Sequence, residues 1–113
     1  MCPAVMKYNI THGSSNPAIS RRQDKIKEIL WSEAEVAKTF DSAGLKKDSA
    51  DLGDLLDAYV RALGLPRSLS DMKISSDKIP ALSERALADF WSPTNPVPLL
   101  KAEQVKEILE MVV

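Results

Sequence analysis

The chemistry-bearing side chains of this sequence are a single histidine, a single cysteine and a ladder of aspartates. His12 heads the run His12-Gly13-Ser14-Ser15-Asn16. An imidazole is a good metal ligand, but a stable site needs three or four converging donors and there is no second histidine. His12 therefore reads as a polar loop residue. Asp48, Asp51, Asp54 and Asp57 recur at three-residue intervals, which places near neighbours on one helical flank. Carboxylates alone can hold calcium or magnesium, yet the loop of alternating oxygen ligands around a central glycine is absent, so the ladder reads as a solvated helix face. Paired carboxylates for glycoside hydrolysis would need a cleft that the sequence does not show.

Nucleophilic and nucleotide chemistry find no better footing. Cys2 has no base near it in sequence, and the serines fall at capping or loop positions. One cysteine excludes an internal disulfide framework and a thiolate zinc site, and it points to a reducing compartment. Gly13, Gly44, Gly53 and Gly64 are far apart and form no Gly-x-Gly cradle for a pyrophosphate. The helix-spaced aromatics Tyr8, Trp31, Phe40, Tyr59, Phe90 and Trp91 read as core rather than as a stacking surface.

Charge excludes two partner classes. Fifteen basic and sixteen acidic residues leave a net of −1, so nothing draws the chain to nucleic acid or to anionic lipid. The clusters Arg21-Arg22-Lys25-Lys27 and Lys46-Lys47 are interleaved with acids, as on a solvated helix. No apolar run approaches the ~20 residues that span a bilayer, and the start lacks the order of a secretory signal. The expectation is a soluble, cytoplasmic protein with no membrane and no nucleic-acid contact.

The elements that must carry these residues are helices. Apolar residues recur at three- and four-residue spacing and no segment alternates long enough for a strand, so the fold class is all-α, a compact bundle of about five helices in one domain over 1–113. A short element covers Pro3 to Asn9, and Thr11 to Ser15 is a loop. Asn16 caps a helix with Pro17 at its first position, reaching about Trp31 with Ile19, Ile26, Ile29 and Leu30 inward. Ser32 and Glu35 have capping-box spacing for a helix carrying Val36, Ala37 and Phe40, which Gly44 ends in a left-handed conformation. The next begins near Asp48 or Ser49, buries Leu52, Leu55, Leu56, Tyr59, Val60 and Leu63, and closes at Gly64 and Pro66. Ser68 to Asp71 is a short turn that leads into Ile74. Ser75 or Ser76 caps a helix that holds Pro80 in its first turn and turns Ile79, Leu82, Ala86, Leu87 and Phe90 inward. Three prolines between Trp91 and Pro98 break it, and Lys101 to Met111 forms the last helix, with Val105, Ile108, Leu109 and Val112 on its apolar side.

Four stretches in fixed order carry a resemblance: Cys2-Pro3-Ala4-Val5-Met6-Lys7-Tyr8-Asn9, Leu63-Gly64-Leu65-Pro66-Arg67-Ser68-Leu69, Ile79-Pro80-Ala81-Leu82, and Phe90-Trp91-Ser92-Pro93-Thr94-Asn95-Pro96-Val97-Pro98-Leu99. Leu65-Pro66-x-x-Leu69, Ala86 to Asp89 and Asn95-Pro96-x-Pro98 are its most specific parts. Together they resemble the carboxyl-terminal end of the iron-dependent alcohol dehydrogenase and maleylacetate reductase family. The resemblance implies the distal part of a dehydroquinate synthase-like helical domain, shortened relative to the family. It also implies that the prolines of Ser92 to Pro98 form the turn between the last two helices rather than a polyproline ligand. Family members bind NAD(P) in an amino-terminal α/β domain and hold iron or zinc with an aspartate and histidines.

None of those sites carries over, so no catalytic, cofactor-binding or metal residue is expected here, and no cofactor for this chain alone. In the family a ligand histidine in a His-Gly-x-x-Asn motif precedes a helix like that of Cys2 to Asn9, whereas His12 follows it. Val97 stands where an arginine is common, and Leu100 where a threonine caps the last helix, which leaves that helix start poorly satisfied. The expected function is that of a C-terminal helical fragment or shortened relative of such an oxidoreductase, not catalytic by itself. The alternative is a stand-alone helical interaction module derived from one. Either would offer a second copy or another protein the surface that the missing half covers.

Overall fold

The end of each helix is set by one or two residues, and the structure, a computed structural model, describes all of residues 1–113. Six helices result: α1 (Cys2–His12), α2 (Pro17–Ser32), α3 (Ala34–Ser42), α4 (Leu52–Ala62), α5 (Ile79–Ala86) and α6 (Ala102–Glu110), with single 3-10 turns at Ser70–Met72, Ser76–Lys78 and Ser92–Thr94. The chain contains no strand. The Asn16 side chain accepts the Ala18 N–H at 3.1 Å and so caps α2 behind Pro17. Gly44 and Gly64, with φ of 73° and 69°, end α3 and α4 in the left-handed region that side chains disfavour.

Several boundaries differ from the sequence reading, each for a local reason. The first helix runs on through His12 and stops at Gly13, whose N–H returns to the Asn9 carbonyl at 2.9 Å. Ser32 caps nothing: its hydroxyl donates back to the Ile29 carbonyl at 2.6 Å, it stays in α2, and Glu33 precedes α3. The fourth helix begins at Leu52 rather than near Asp48, because Asp51 and Asp54 make the capping box. The Asp54 N–H donates to Asp51 Oδ1 at 2.8 Å and the Asp51 N–H to Asp54 Oδ2 at 3.1 Å. A 3-10 turn separates Ser75 from α5, and the Ser75 hydroxyl bonds the Asp77 carboxylate instead of capping that helix. The start of α6 is satisfied from inside the helix: Gln104 Oε1 accepts the N–H groups of Leu100 and Lys101 at 2.9 and 3.0 Å. A threonine at position 100 is not needed for that.

Three small cores hold the helices, not one. Phe40, Ala50, Leu55 and Ala58 join α3 and α4, with Leu30 and Trp31 of α2 packed against them. Ala4, Tyr8 and Ile108 join α1 to α6. Ile79, Val105 and Leu109 join α5 to α6. The molecule is a slab of 40 × 35 × 20 Å. A slab of this thickness buries few residues completely, 17 of 113, and leaves apolar side chains on its faces. Ile26 and Ile29 are 43% and 55% exposed, because α2 turns Ile19 and Gln23 inward instead. Phe90, expected inside, is 79% exposed and packs edge-on against Trp91 at 5.3 Å. Leu63 and Tyr59 are likewise exposed, whereas Tyr8, Phe40 and Trp31 do serve the core.

Candidate functional site

Three places gather the polar side chains of the fold. The first is where α1 crosses α4. Gly53 lies so near α1 that an added Cβ would stand 2.7 Å from the Pro3 carbonyl oxygen. That close approach brings Lys7 Nζ to 3.0 Å from Asp51 Oδ2 and 2.5 Å from Asp54 Oδ1. Below them Asp57 takes the Arg67 guanidinium with both oxygens, each at 2.9 Å, and Arg61 at 3.4 Å. Asp71 accepts the N–H groups of Arg67 and Ser68 at 2.9 and 3.0 Å and so fixes the turn after α4. The aspartate ladder is thus a set of caps and clamps, not a bare solvated face. Asp48 alone stays exposed with no bond to a neighbouring helix.

Burial works against the charge of Lys7, but the hydrogen bonds of Asp54 and Asp51 outweigh it and hold its ammonium above the ordinary lysine range. Burial likewise works against the Asp54 carboxylate and is outweighed by Lys7 and the Asp51 N–H, which hold it below the ordinary range. The Arg67 guanidinium does the same for Asp57. Lowered carboxyl groups contribute stability that is full above about pH 4, the unfolded value, and is lost as pH falls through the lower folded values. The raised lysine contributes stability that is full below about pH 10.4 and is lost as pH rises through its folded value. Side chains about one-third exposed make weak pairs, each worth about 1 kcal/mol or less. Urea midpoints measured against pH should accordingly be flat between these limits and fall on both sides. Lys7→Met should flatten the alkaline fall, and an unchanged alkaline limb would refute this assignment.

The second place is the end of α1. His12 Nε2 lies 2.6 Å from Glu107 Oε1 of α6, and the ring lies 4.4 Å from Tyr8. This contact ties α1 to α6. No three histidine, cysteine, aspartate or glutamate side chains converge anywhere in the chain, and Cys2 sits exposed at the start of α1, away from His12 along the helix.

The third place is the foot of α1 and α2, where sequence reasoning found nothing. Asn9 and Asn95 exchange amide hydrogen bonds at 3.1 and 2.6 Å, and Asn95 also donates to the Val97 carbonyl at 2.7 Å. Gln23, buried, donates to the Met6 carbonyl at 3.0 Å. These amides line a cavity of about 330 Å³ with Met6, Ile19, Arg22 and Ile26. The one available signal was the Asn95-Pro96 turn, which fixes a polar side chain beside a rigid backbone; its partner 86 residues away was not readable.

Residues 1–113 match the protein family described as "Fe-containing alcohol dehydrogenase family, C-terminal". Among curated relatives, the chain is 37% identical over 107 residues to dehydrogenase ALT3 of Alternaria alternata, covering 95% of this chain and 27% of that protein. It is 35% identical over 109 residues to dehydrogenase FUM7 of Gibberella moniliformis, covering 96% and 25%. The chain therefore spans about a quarter of the length of these relatives. No solved structure gives a significant match. The family description implies iron, and the donors present do not fit it: one imidazole engaged with one carboxylate, with no third ligand converging.

Proposed function

This chain belongs to the Fe-containing alcohol dehydrogenase family, and on that premise we propose that it forms the distal helices of an NAD(P)-linked, metal-dependent oxidoreductase. In this reading the nucleotide and metal sites lie in the three-quarters of the relatives that the chain does not span. The chain supplies packing surface rather than chemistry, and its lone, exposed thiol suits a reducing, cytoplasmic setting. One observation carries the proposal. The side chain with the best claim to a metal, His12, is spent on joining α1 to α6 through Glu107.

A redox centre of this class must hold a nicotinamide and polarise a carbonyl, and both tasks need converging groups. The apolar side chains left on the slab favour a surface that other protein covers. The same exposure would serve a stand-alone interaction module, which would bind other proteins and show no affinity for the rest of a family dehydrogenase. Calorimetric titration of the isolated chain with NADH, NADPH and Zn²⁺ tests the proposal. No saturable binding is expected below about 1 mM, and micromolar binding of a nucleotide or of the metal would defeat it.

A further inference from the structure

The exposed flank of α2 beside its buried residues Ile19 and Gln23 is sorted by charge. At about 100° per residue, Lys25, Ile29, Arg22 and Ile26 fall within one strip, while Asp24 and Glu28 project from another side of the helix. Both isoleucines are half exposed. Arg22 and Lys25 are exposed and join none of the ion pairs in the chain, whereas Lys27, one position beyond Ile26, reaches Asp24 at 3.9 Å. The strip runs into the cavity of about 330 Å³ at the foot of α1 and α2, which Arg22 and Ile26 help to line. Apolar residues flanked by unpaired cations and opening on a concave end are complementary to one kind of surface: a helix with an apolar stripe and carboxylates beside it.

We propose that this strip and cavity seat an acidic amphipathic helix from the part of the family dehydrogenase that this chain does not span. The proposal rests on the reading given under Proposed function and adds to it a face and a charge. The relatives run to about four times the length of the matched segment, so the rest of such a dehydrogenase is long enough to contain a helix of that kind. Two isoleucines and a walled cavity suit a helix better than a lipid surface, which is met by a broad apolar face. Phe90 and Trp91 are more exposed but pack on each other, and the one charge next to them in sequence, Asp89, is turned back to accept the Trp91 N–H at 3.0 Å.

The test co-expresses this chain with the segment of the Alternaria relative that precedes the matched region, and reads co-elution and affinity. Ile26→Glu with Ile29→Glu, and separately Arg22→Glu with Lys25→Glu, should each weaken pairing by about tenfold or more. All four positions are on the surface, so the helical circular dichroism should be unchanged. Phe90→Ser with Trp91→Ser should pair within about twofold of the parent chain. Added salt should weaken the parent pair and not the charge-reversed one. If the strip variants pair as well as the parent chain, the docking face is wrong while the reading of function stands. If the parent chain itself does not pair, that reading falls and this inference falls with it. Binding to phosphatidylserine vesicles that depends on Arg22 and Lys25 would also overturn the proposal.

Discussion

Phe40→Ala is expected to destabilise the chain by about 3 to 5 kcal/mol, which removes much of what a domain of this size has to lose. Phe40 is fully buried at the meeting of α2, α3 and α4, with Trp31 edge-on at 5.1 Å and Ala50, Leu55 and Ala58 beside it. Two of those neighbours are alanines, which cannot reach into the space the ring would leave. The resulting cavity should therefore persist instead of collapsing. The other two cores are joined through α1, α5 and α6 and do not support α3, so helical signal from α3 should be lost first. Urea unfolding followed by far-ultraviolet circular dichroism reads the change. A loss under about 1 kcal/mol would mean that Phe40 does not hold these helices together.

Gly53→Ala should destabilise by about 1 to 3 kcal/mol, although the same exchange inside an exposed helix stabilises by about 1 kcal/mol. The sign is set by the crossing of α1 over α4. The new methyl would meet the Pro3 carbonyl oxygen at 2.7 Å and Lys7 Cγ at 2.5 Å. A lysine methylene can rotate away; a carbonyl in the first turn of a helix cannot move without moving the helix. Displacing α1 would also pull Lys7 from Asp51 and Asp54. Gly53→Val should be worse than the alanine change, and a more stable alanine variant would show that the crossing is looser than the structure has it.

Local signals in the sequence were read well where one residue decides the outcome. Asn16 with Pro17, Gly44, Gly64, the apolar spacing of α6 and, in α4, Leu52 and Leu55 but not Tyr59 or Leu63 behaved as their chemistry dictates. Periodicity failed where it had to say which side of a helix meets the protein. Ile19, Ile26 and Leu30 share one apolar direction of α2, with Ile29 beside it, and only the packing of α1 and α3 decides how far round the helix the buried stripe extends. Phe90 failed for a related reason: the chain leaves the helix at Ala86, so the ring no longer follows the inward stripe. The aspartate ladder was legible as spacing but not as function, since Lys7 and Arg67 come from elsewhere in the chain. Family membership was legible in the order of short motifs around Leu65-Pro66 and Asn95-Pro96, and the match over residues 1–113 agrees with it.

A packing segment and a redox enzyme differ most plainly in turnover. The purified chain should be mixed with NADH or NADPH, Fe²⁺ or Zn²⁺ and a short-chain aldehyde or ketone, and nucleotide oxidation followed by the loss of the reduced nicotinamide's near-ultraviolet absorbance. No oxidation above the protein-free rate is predicted, because His12 is committed to Glu107 and no second imidazole exists to join it. Carbonyl reduction that scales with the amount of chain, and that disappears in a His12→Ala variant, would contradict the account.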